Sequence, residues 1–269
     1  MFIGHFTEEP WQKEDWPVEW GSGVMAVSNS EYDPVRAANL YHRYIDEKIY
    51  AEEMGFDGIM VNEHHSAPFC MNGVANVKAS ILARVTTKAK ILILGNPLPI
   101  HDDPLWLAEQ LAMIDVISRG RLIPGVVRGG GSESLAHNAP PHFNRERFEE
   151  AHDFLIKTWT TPGPFRWESK HYHLRYVNPW AVPYQKPHPP IWVPGTSSQE
   201  TVEWAARHRY PYIMLASQIE LTQQMYQAYY DTAREEGYEA GPQHLGFMFF
   251  FHVEETEKRA LEVGRTLTQ

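Results

Sequence analysis

The stretch GFDGIMVNEHH, residues 55–65, decides the fold. It begins with a glycine that can end a helix, continues through the short apolar run Gly58–Val61, and ends on a carboxylate and two imidazoles. The run does not alternate with polar residues, which is typical of a parallel strand buried on both faces. Active-site groups gather at the carboxyl ends of parallel barrel strands, so we expect Glu63, His64 and His65 to lie at such an end.

Similar apolar runs recur on both sides of this stretch, and helical spacing lies between them. The other predicted strands are Met1–Phe6, Lys90–Pro97, Arg121–Val127, Ile191–Pro194, Pro211–Leu215 and His244–Val253. The predicted helices are Ala38–Met54, Pro104–Ile117, Arg145–Trp159, Gln199–His208 and Glu220–Glu236. Strands that alternate with helices predict a parallel α/β sheet, and seven of them favour a closed barrel over an open sheet.

The predicted architecture is therefore a (β/α)8 TIM-type barrel that forms one domain over residues 1–269. After the seventh strand only a helical stretch, Glu254–Thr268, remains, and an open barrel would leave two unpaired edges. We therefore expect an eighth strand to follow beyond residue 269. Two long insertions, residues 7–35 with three tryptophans (Trp11, Trp16 and Trp20) and residues 161–190 with a hairpin near Phe165–Arg175, are expected as packed lids on the catalytic face.

Composition excludes several kinds of partner and compartment. The net charge is −10, without long runs of like charge, so neither nucleic acid nor a membrane surface is an expected partner. A single cysteine, Cys70, allows no internal disulfide, and its expected role is packing. The sequence has neither a signal-peptide pattern nor a long apolar span, so we expect a cytoplasmic, soluble protein.

Two further strand ends carry groups that suit ligand binding. Gly95 and Asn96 end the third strand, and Arg128 precedes three glycines, Gly129–Gly131, after the fourth. An arginine beside exposed backbone amides is a plausible phosphate cradle, although the glycines could form a plain flexible loop and Arg128 could pair with Glu133 or Glu109. Pro124 inside the fourth strand predicts a bulge or a shifted strand start.

The paired imidazoles have a structural and a chemical interpretation. Histidine is suited to proton transfer near neutral pH, but a lone histidine at a strand end is more often simply hydrogen-bonded there. The order Asn-Glu-His-His is not the zinc pattern His-Glu-x-x-His, so no catalytic metal is expected.

Together with Pro104–Arg121 and Ile191–Ala205, these segments resemble the bacterial-luciferase-like flavin monooxygenase family, over roughly Gly55 to Gly264. The resemblance implies that FMN binds at the carboxyl mouth of the barrel. Its phosphate would be held by Arg128 and by a helix start after the fifth strand, where helix N-termini attract phosphate: Gly195, Ser197, Ser198 and Thr201. It also implies a non-prolyl cis peptide at Gly95–Asn96 beneath the flavin ring, and a catalytic His64 flanked by Glu63 and His65.

The implied activity is a monooxygenase reaction in which reduced FMN and O2 oxygenate a small organic substrate. A separate flavin reductase would supply the reduced FMN, and relatives of this kind are commonly homo-oligomers. Two alternatives stay open on the same fold: an F420-dependent oxidoreductase that transfers hydride, and a non-catalytic flavin-binding protein. Storage alone needs no proton donor, so the presence of His64 argues against the last. A metal-dependent hydrolase is a more distant alternative.

Overall fold

A computed structural model describes residues 1–12 and 27–267 of the chain. Trp16 and Trp20 of the first insertion lie outside these ranges. The chain divides into two compact units, residues 1–194 and 195–269, and each is described by itself. The expected single domain and the eighth strand stay predictions.

Four parallel strands form the sheet of the first unit: β1 (Gly4–His5), β2 (Gly58–Val61), β3 (Lys90–Pro97) and β4 (Leu122–Val127). They pair in chain order, and the bounds of β2 and β3 are those the apolar runs predict. Residues 91–97 of β3 are buried throughout, so the strand has no solvent-facing side. Beyond β4, Trp192 continues the parallel pairing, because Val126 N–H donates to its carbonyl at 3.0 Å.

Pro124 coincides with an irregularity in the pairing of β3 with β4. The register shifts between Ile93 and Asn96 on β3, so the pairing is irregular near Pro124, and the extra residue lies on the opposite strand, β3. At the next residue, Gly125, the backbones of β3 and β4 come too close for a side chain, because a Cβ there would lie 2.0 Å from the carbonyl oxygen of Ile93. The proline nitrogen has no proton to give, but its carbonyl oxygen accepts a hydrogen bond from Trp192 at 3.0 Å.

Helices connect these strands. They are α1 (Pro34–Glu53), α2 (Ala75–Val85), α3 (Pro104–Ser118), the short α4 (Gly131–Ala136) and α5 (Asn144–Thr160). Both α1 and α3 start with an aspartate cap and a first-turn proline, since Asp33 accepts from Arg36 N at 2.8 Å and Asp103 from Leu105 N at 3.0 Å. The apolar periodicity did not predict α2 or α4.

Both insertions are packed where the structure describes them. The predicted hairpin is confirmed as antiparallel β5 (Phe165–Glu168) and β6 (His173–Val177). Further along, Gln185 is fixed to the buried Asp115 of α3, because its backbone N–H and its Nε2 each donate to that carboxylate at 2.8 Å. In the first insertion, the buried Trp11 packs against α1 and stacks on Tyr32 at 5.2 Å between ring centroids.

The amino ends of the strands are joined by the side chain of Arg121, just before β4. Its guanidinium donates five hydrogen bonds, to Ser118, Ala83, Ala89 and twice to Thr86. This network lies at the end of the sheet opposite to the carboxyl ends, where the candidate site is expected.

The second unit repeats the alternation of strands and helices. A sheet with the order β7 (Val193–Gly195), β8 (Tyr212–Leu215) and β9 (Leu245–Met248) starts at the boundary between the units, and β8 and β9 pair in parallel. The helices are α6 (Gln199–Arg207), α7 (Ile219–Glu235) and α8 (Glu257–Leu267). Within residues 1–12 and 27–267, every helix is too short or too polar to cross a membrane.

Candidate active site

His64 stands three residues after the end of β2, in contact with a residue from another loop. Its Nδ1 lies 2.9 Å from Oε1 of Glu133, the third residue of α4, and its backbone N–H donates to the carbonyl of Asn72 at 3.2 Å. The ring lies 4.7 Å from the ring of Phe69, centroid to centroid. One third of the side chain, 33%, stays exposed. His64 is therefore held at one ring nitrogen while part of the ring is open to solvent or to a ligand.

Glu63 has a structural task that the sequence did not show. Its Oε2 accepts the backbone N–H of Ala75 at 2.9 Å, at the first turn of α2, and its Oε1 lies 3.3 Å from His65 Nε2. The N-cap residue of α2, Val74, has no side-chain acceptor to offer, so the carboxylate of Glu63 takes that place. Both oxygens of Glu63 are thus engaged by the protein itself.

His65 is more buried than His64 and packs against a third histidine. Its side chain is 12% exposed, and its ring meets that of His137 edge-on at 4.1 Å between centroids. Burial, and then the neighbouring His65, lower the pKa of His137. Because Glu63 holds Nε2 of His65 and the ring packs against His137, packing explains His65 more simply than proton transfer does.

A second acidic group, Glu8, lies close to the end of β2. Asn62 Nδ2 donates to its carboxylate, and Cys70 Sγ in turn donates to Asn62 Oδ1 at 3.4 Å. Burial raises the pKa of Glu8, while the nearby His64 and the bond from Asn62 act in the opposite sense. Burial also raises the pKa of the Cys70 thiol to about 12, which fits the expected packing role and argues against a nucleophile.

Glu9, the next residue, is fully buried and held by two lysines. Lys78 Nζ contacts its Oε2, Lys48 Nζ lies 3.7 Å from its Oε1, and Asn72 Nδ2 donates to Oε2 at 2.9 Å. Its backbone carbonyl accepts from Met71 N at 3.0 Å. Through these contacts the segment after β1 is joined to α1, to α2 and to the loop after β2. The loop after β2 also carries His64.

The end of β3 differs from the prediction. The peptide bond Gly95–Asn96 is trans, and the cis bonds among the described residues are Gly163–Pro164 and Lys186–Pro187. The predicted non-prolyl cis peptide is therefore wrong. The register of β3 against β4 shifts between Ile93 and Asn96, and Gly95 is needed for close packing, because a Cβ there would lie 2.7 Å from Val127 Cγ1.

Asn96 is fully buried at this strand end. Its Nδ2 donates to Asn76 Oδ1 at 3.1 Å, but its Oδ1 has no hydrogen-bond partner among the described residues. A buried acceptor without a donor is costly, so its presence at a strand end is consistent with a ligand that donates a hydrogen bond there.

Arg128 directly follows β4 and is partly exposed. In the glycine run after it, Gly129 has φ +74°, a left-handed conformation that favours glycine, and a Cβ at Gly131 would meet nothing within 4 Å. The N–H of Gly130, however, donates to Glu133 Oε2 at 2.8 Å. Within the expected phosphate cradle, this amide is therefore already used by a carboxylate.

The remaining predicted residues lie in the second unit, at the start of α6. Ser198 is the N-cap residue, and Thr201 Oγ1 donates to its Oγ at 3.1 Å. Ser197 is exposed, and Gly195 approaches Tyr212 so closely that a Cβ would lie 2.7 Å from its hydroxyl oxygen. This is a polar helix start of the kind that suits an anion.

Sequence reasoning missed Glu133, Glu8 and His101 as members of the site. His101 follows β3, burial lowers its pKa, and its Nε2 is buried without a hydrogen-bond partner in the described part of the chain. The only signal for Glu133 was its position five residues after Arg128, which suggested a pair with that arginine rather than with His64. Contacts between loops from different strands leave no periodicity along the chain.

The geometry defines a class: an α/β protein with parallel strands that carry ionisable groups at their carboxyl ends. Residues 23–268 match the family model described as luciferase-like monooxygenase, and the chain belongs to this family. It is 28% identical over 187 residues to the alkanal monooxygenase alpha chain of Photorhabdus luminescens, covering 66% of this chain and 51% of that one. The chain thus spans about half the length of this relative.

Solved structures confirm the likeness in fold. The oxygenating constituent of 3,6-diketocamphane monooxygenase from Pseudomonas putida, a type II Baeyer–Villiger enzyme in complex with FMN, has a TM-score of 0.78 at 20% identity, over 86% of this chain and 67% of that one. An F420-dependent secondary alcohol dehydrogenase in complex with an F420–acetone adduct has a TM-score of 0.72 at 17% identity, over 84% and 69%. This fold is consistent with the expected TIM-type barrel.

Proposed function

We propose that this chain is a flavin-dependent monooxygenase that uses reduced FMN and O2 to oxygenate a small organic substrate. The observation that carries the proposal is His64, which follows β2, is fixed at Nδ1 by Glu133, and remains 33% exposed. When bound, reduced FMN would supply the electrons that activate O2. The part of His64 would be to take up or deliver a proton at the reacting atoms.

The residues at the strand ends of the first unit fit an FMN ligand. Arg128 offers a planar cation of the kind that binds phosphate, and a Cβ at Gly131, three residues further on, would meet nothing within 4 Å. The unpartnered Oδ1 of Asn96 suits a ligand that donates a hydrogen bond, as the N–H of an isoalloxazine ring does. We separately propose the start of α6, with Ser197, Ser198 and Thr201, as a phosphate-binding element.

An F420-dependent oxidoreductase is the second candidate, favoured by the likeness in fold to the F420-dependent alcohol dehydrogenase. On this alternative, His64 would still serve proton transfer, but the electrons would pass as hydride to or from the substrate. The monooxygenase additionally requires a flavin reductase as a partner to supply reduced FMN, and O2 as a co-substrate. The two functions are separated by which cofactor the protein binds and whether O2 is consumed.

The proposed active form is a homo-oligomer in which the outer faces of α2 and α3 meet those of a second copy. One stripe of α2 is apolar and exposed at a spacing of four residues, Val77, Ile81 and Val85, and the adjoining α3 exposes Trp106 and Met113. Single exposed apolar side chains are ordinary, whereas several on two adjoining helices favour an interface. A two-fold contact would place each patch against its own copy.

The test begins with the purified protein, titrated with FMN and F420 in oxidised and reduced forms. Single-turnover oxidation of the bound cofactor is then followed with O2 and candidate substrates for the wild type, His64→Ala and His65→Ala. A general acid or base typically contributes ~10²–10⁴-fold in rate, so His64→Ala should lose turnover by that order and keep its cofactor affinity. His65→Ala is the matched control, because it removes the neighbouring imidazole and should reduce turnover less.

Thermal unfolding of all three proteins separates chemistry from folding. A His64→Ala protein that is stable, binds cofactor and turns over at the wild-type rate removes His64 from the mechanism. Tight FMN binding without substrate oxidation in any condition points instead to the non-catalytic flavin-binding protein. Binding of F420 but not FMN, with hydride transfer insensitive to O2, favours the second candidate.

A further inference from the structure

The contact between His64 and Glu133 joins two loops that follow different strands. His64 follows the end of β2 by three residues, and Glu133 belongs to α4, in the loop after β4. Their contacting atoms, Nδ1 and Oε1, lie 2.9 Å apart, and the Glu133 side chain is only 5% exposed. Water therefore has little access to the Glu133 end of this hydrogen bond, while one third of the His64 side chain, 33%, stays exposed.

Glu133 is fixed by two further hydrogen bonds within its own loop. Its Oε2 accepts from the Gly130 N–H at 2.8 Å and from Ser132 Oγ at 2.8 Å. Burial alone would raise the pKa of Glu133, but the hydrogen bonds from His64 and Ser132 bring it down to about 2. At neutral pH the group is thus a carboxylate, which can accept hydrogen bonds and cannot donate them.

A neutral imidazole has one donor nitrogen and one acceptor nitrogen, and the partner of one nitrogen decides the state of the other. Because Glu133 only accepts, Nδ1 of His64 must carry the proton. Nε2 then holds a free lone pair when His64 is neutral. In water the opposite tautomer of histidine, with the proton on Nε2, is favoured, so the protein must impose this state.

We propose that Glu133 is a positioning residue that holds His64 in the Nδ1–H tautomer and so makes Nε2 the proton-accepting atom of the site. This inference rests on the proposed function for its catalytic meaning, whereas the tautomer itself is a property of the chain alone. Glu8, the other carboxylate that acts on His64, bonds to Asn62 and does not contact the imidazole through any hydrogen bond that the described residues show.

The direct test is a long-range ¹H–¹⁵N spectrum of the protein labelled with ¹⁵N-histidine, without cofactor, at a pH where His64 is neutral. The His64 signals are identified by their loss in His64→Ala. In the wild type we expect a protonated Nδ1 and an unprotonated Nε2. In Glu133→Gln the side-chain amide can donate as well as accept, so the spectrum should move to a mixture of tautomers.

His188 provides an internal control in the same spectra. Its Nδ1 lies 2.8 Å from the carbonyl oxygen of Pro189, which only accepts, so its Nδ1–H tautomer should be the same in both proteins. A wild-type spectrum with the His64 proton on Nε2 overturns the proposal, and this result does not depend on whether Glu133→Gln folds. An unchanged, fully Nδ1–H His64 in folded Glu133→Gln overturns it as well.

Turnover then tests the catalytic consequence. Glu133→Gln should lower the single-turnover rate by less than the ~10²–10⁴-fold expected for His64→Ala, with KM for the substrate nearly unchanged. If the tautomer changes as expected but His64→Ala turns over normally, the proposed function of His64 fails while the positioning by Glu133 stands. If the tautomer does not change and His64→Ala is inactive, the positioning role fails alone.

Discussion

Lys78→Met should destabilise the protein far more than Lys170→Met, although both lysines contact a glutamate. Lys78 and Glu9 form a pair with side-chain exposures of 5% and 0%. Lys170 Nζ lies 2.7 Å from Glu146 Oε2, with exposures of 61% and 47%. The two substitutions remove the same charge and leave the same side chain, so the difference between them isolates the effect of burial.

The stability lost in Lys78→Met depends on the groups that still contact Glu9 in the variant. Removing one partner of a buried ion pair typically costs about 3–5 kcal/mol, because the other charge stays buried without compensation. Asn72 and Lys48 still contact the carboxylate at 2.9 Å and 3.7 Å, which places the expected loss near the lower end, about 3 kcal/mol. The exposed pair at Lys170 should contribute far less, because water screens the two charges.

Urea unfolding at pH 7, followed by tryptophan fluorescence and circular dichroism, measures both losses. The double variant Glu9→Gln/Lys78→Met should regain part of the stability lost in Lys78→Met, because it also removes the uncompensated carboxylate. A loss in Lys78→Met no larger than that in Lys170→Met would refute the reasoning, since Glu9 would then not be a buried charge that depends on Lys78.

Three further predictions follow from the described contacts. Arg128→Ala should weaken FMN binding by about 1.5–3 kcal/mol in a fluorescence titration, while exposed Arg175→Ala leaves it unchanged; equal affinities would remove Arg128 from the site. The pKa of Glu133, about 2, lies below its ordinary value of 4.5, so this carboxylate stabilises the folded state above pH 4.5 and loses that effect as pH falls towards 2. Unfolding by circular dichroism should therefore show a smaller acid-induced loss for Glu133→Gln, and parallel pH profiles would contradict this. Ile81→Glu should split the homo-oligomer in light scattering, whereas Val182→Glu, also at an exposed β-branched aliphatic residue, should not; an unchanged mass for Ile81→Glu places any interface elsewhere.

The strands were predictable because their signal is local. β2 and β3 begin and end where the apolar runs do, and the proline and glycine residues that bound them act on the backbone directly. The start of α2 was not predictable in this way, since its acceptor is Glu63, twelve residues before Ala75. Its inner face also includes the buried Lys78, which breaks the apolar pattern.

The candidate site was predictable only as a set of residue types at strand ends. The sequence indicated His64 and Arg128 correctly as residues that follow β2 and β4. It could not show that Glu133 bonds to His64, because that contact joins residues 69 positions apart. The expected cis peptide at Gly95–Asn96 was carried over from the resemblance, and the structure has a trans bond there.

Arg121 has a consequence for redesign of this protein. An arginine side chain has five N–H donors, and the five hydrogen bonds of Arg121 use them all. A lysine, with three donors and no planar fork, would leave carbonyl oxygens between α2 and β3 without donors. Loop exchange aimed at new substrates should therefore be confined to the carboxyl ends of the strands. Exchanges at those ends leave the hydrogen bonds of Arg121 intact.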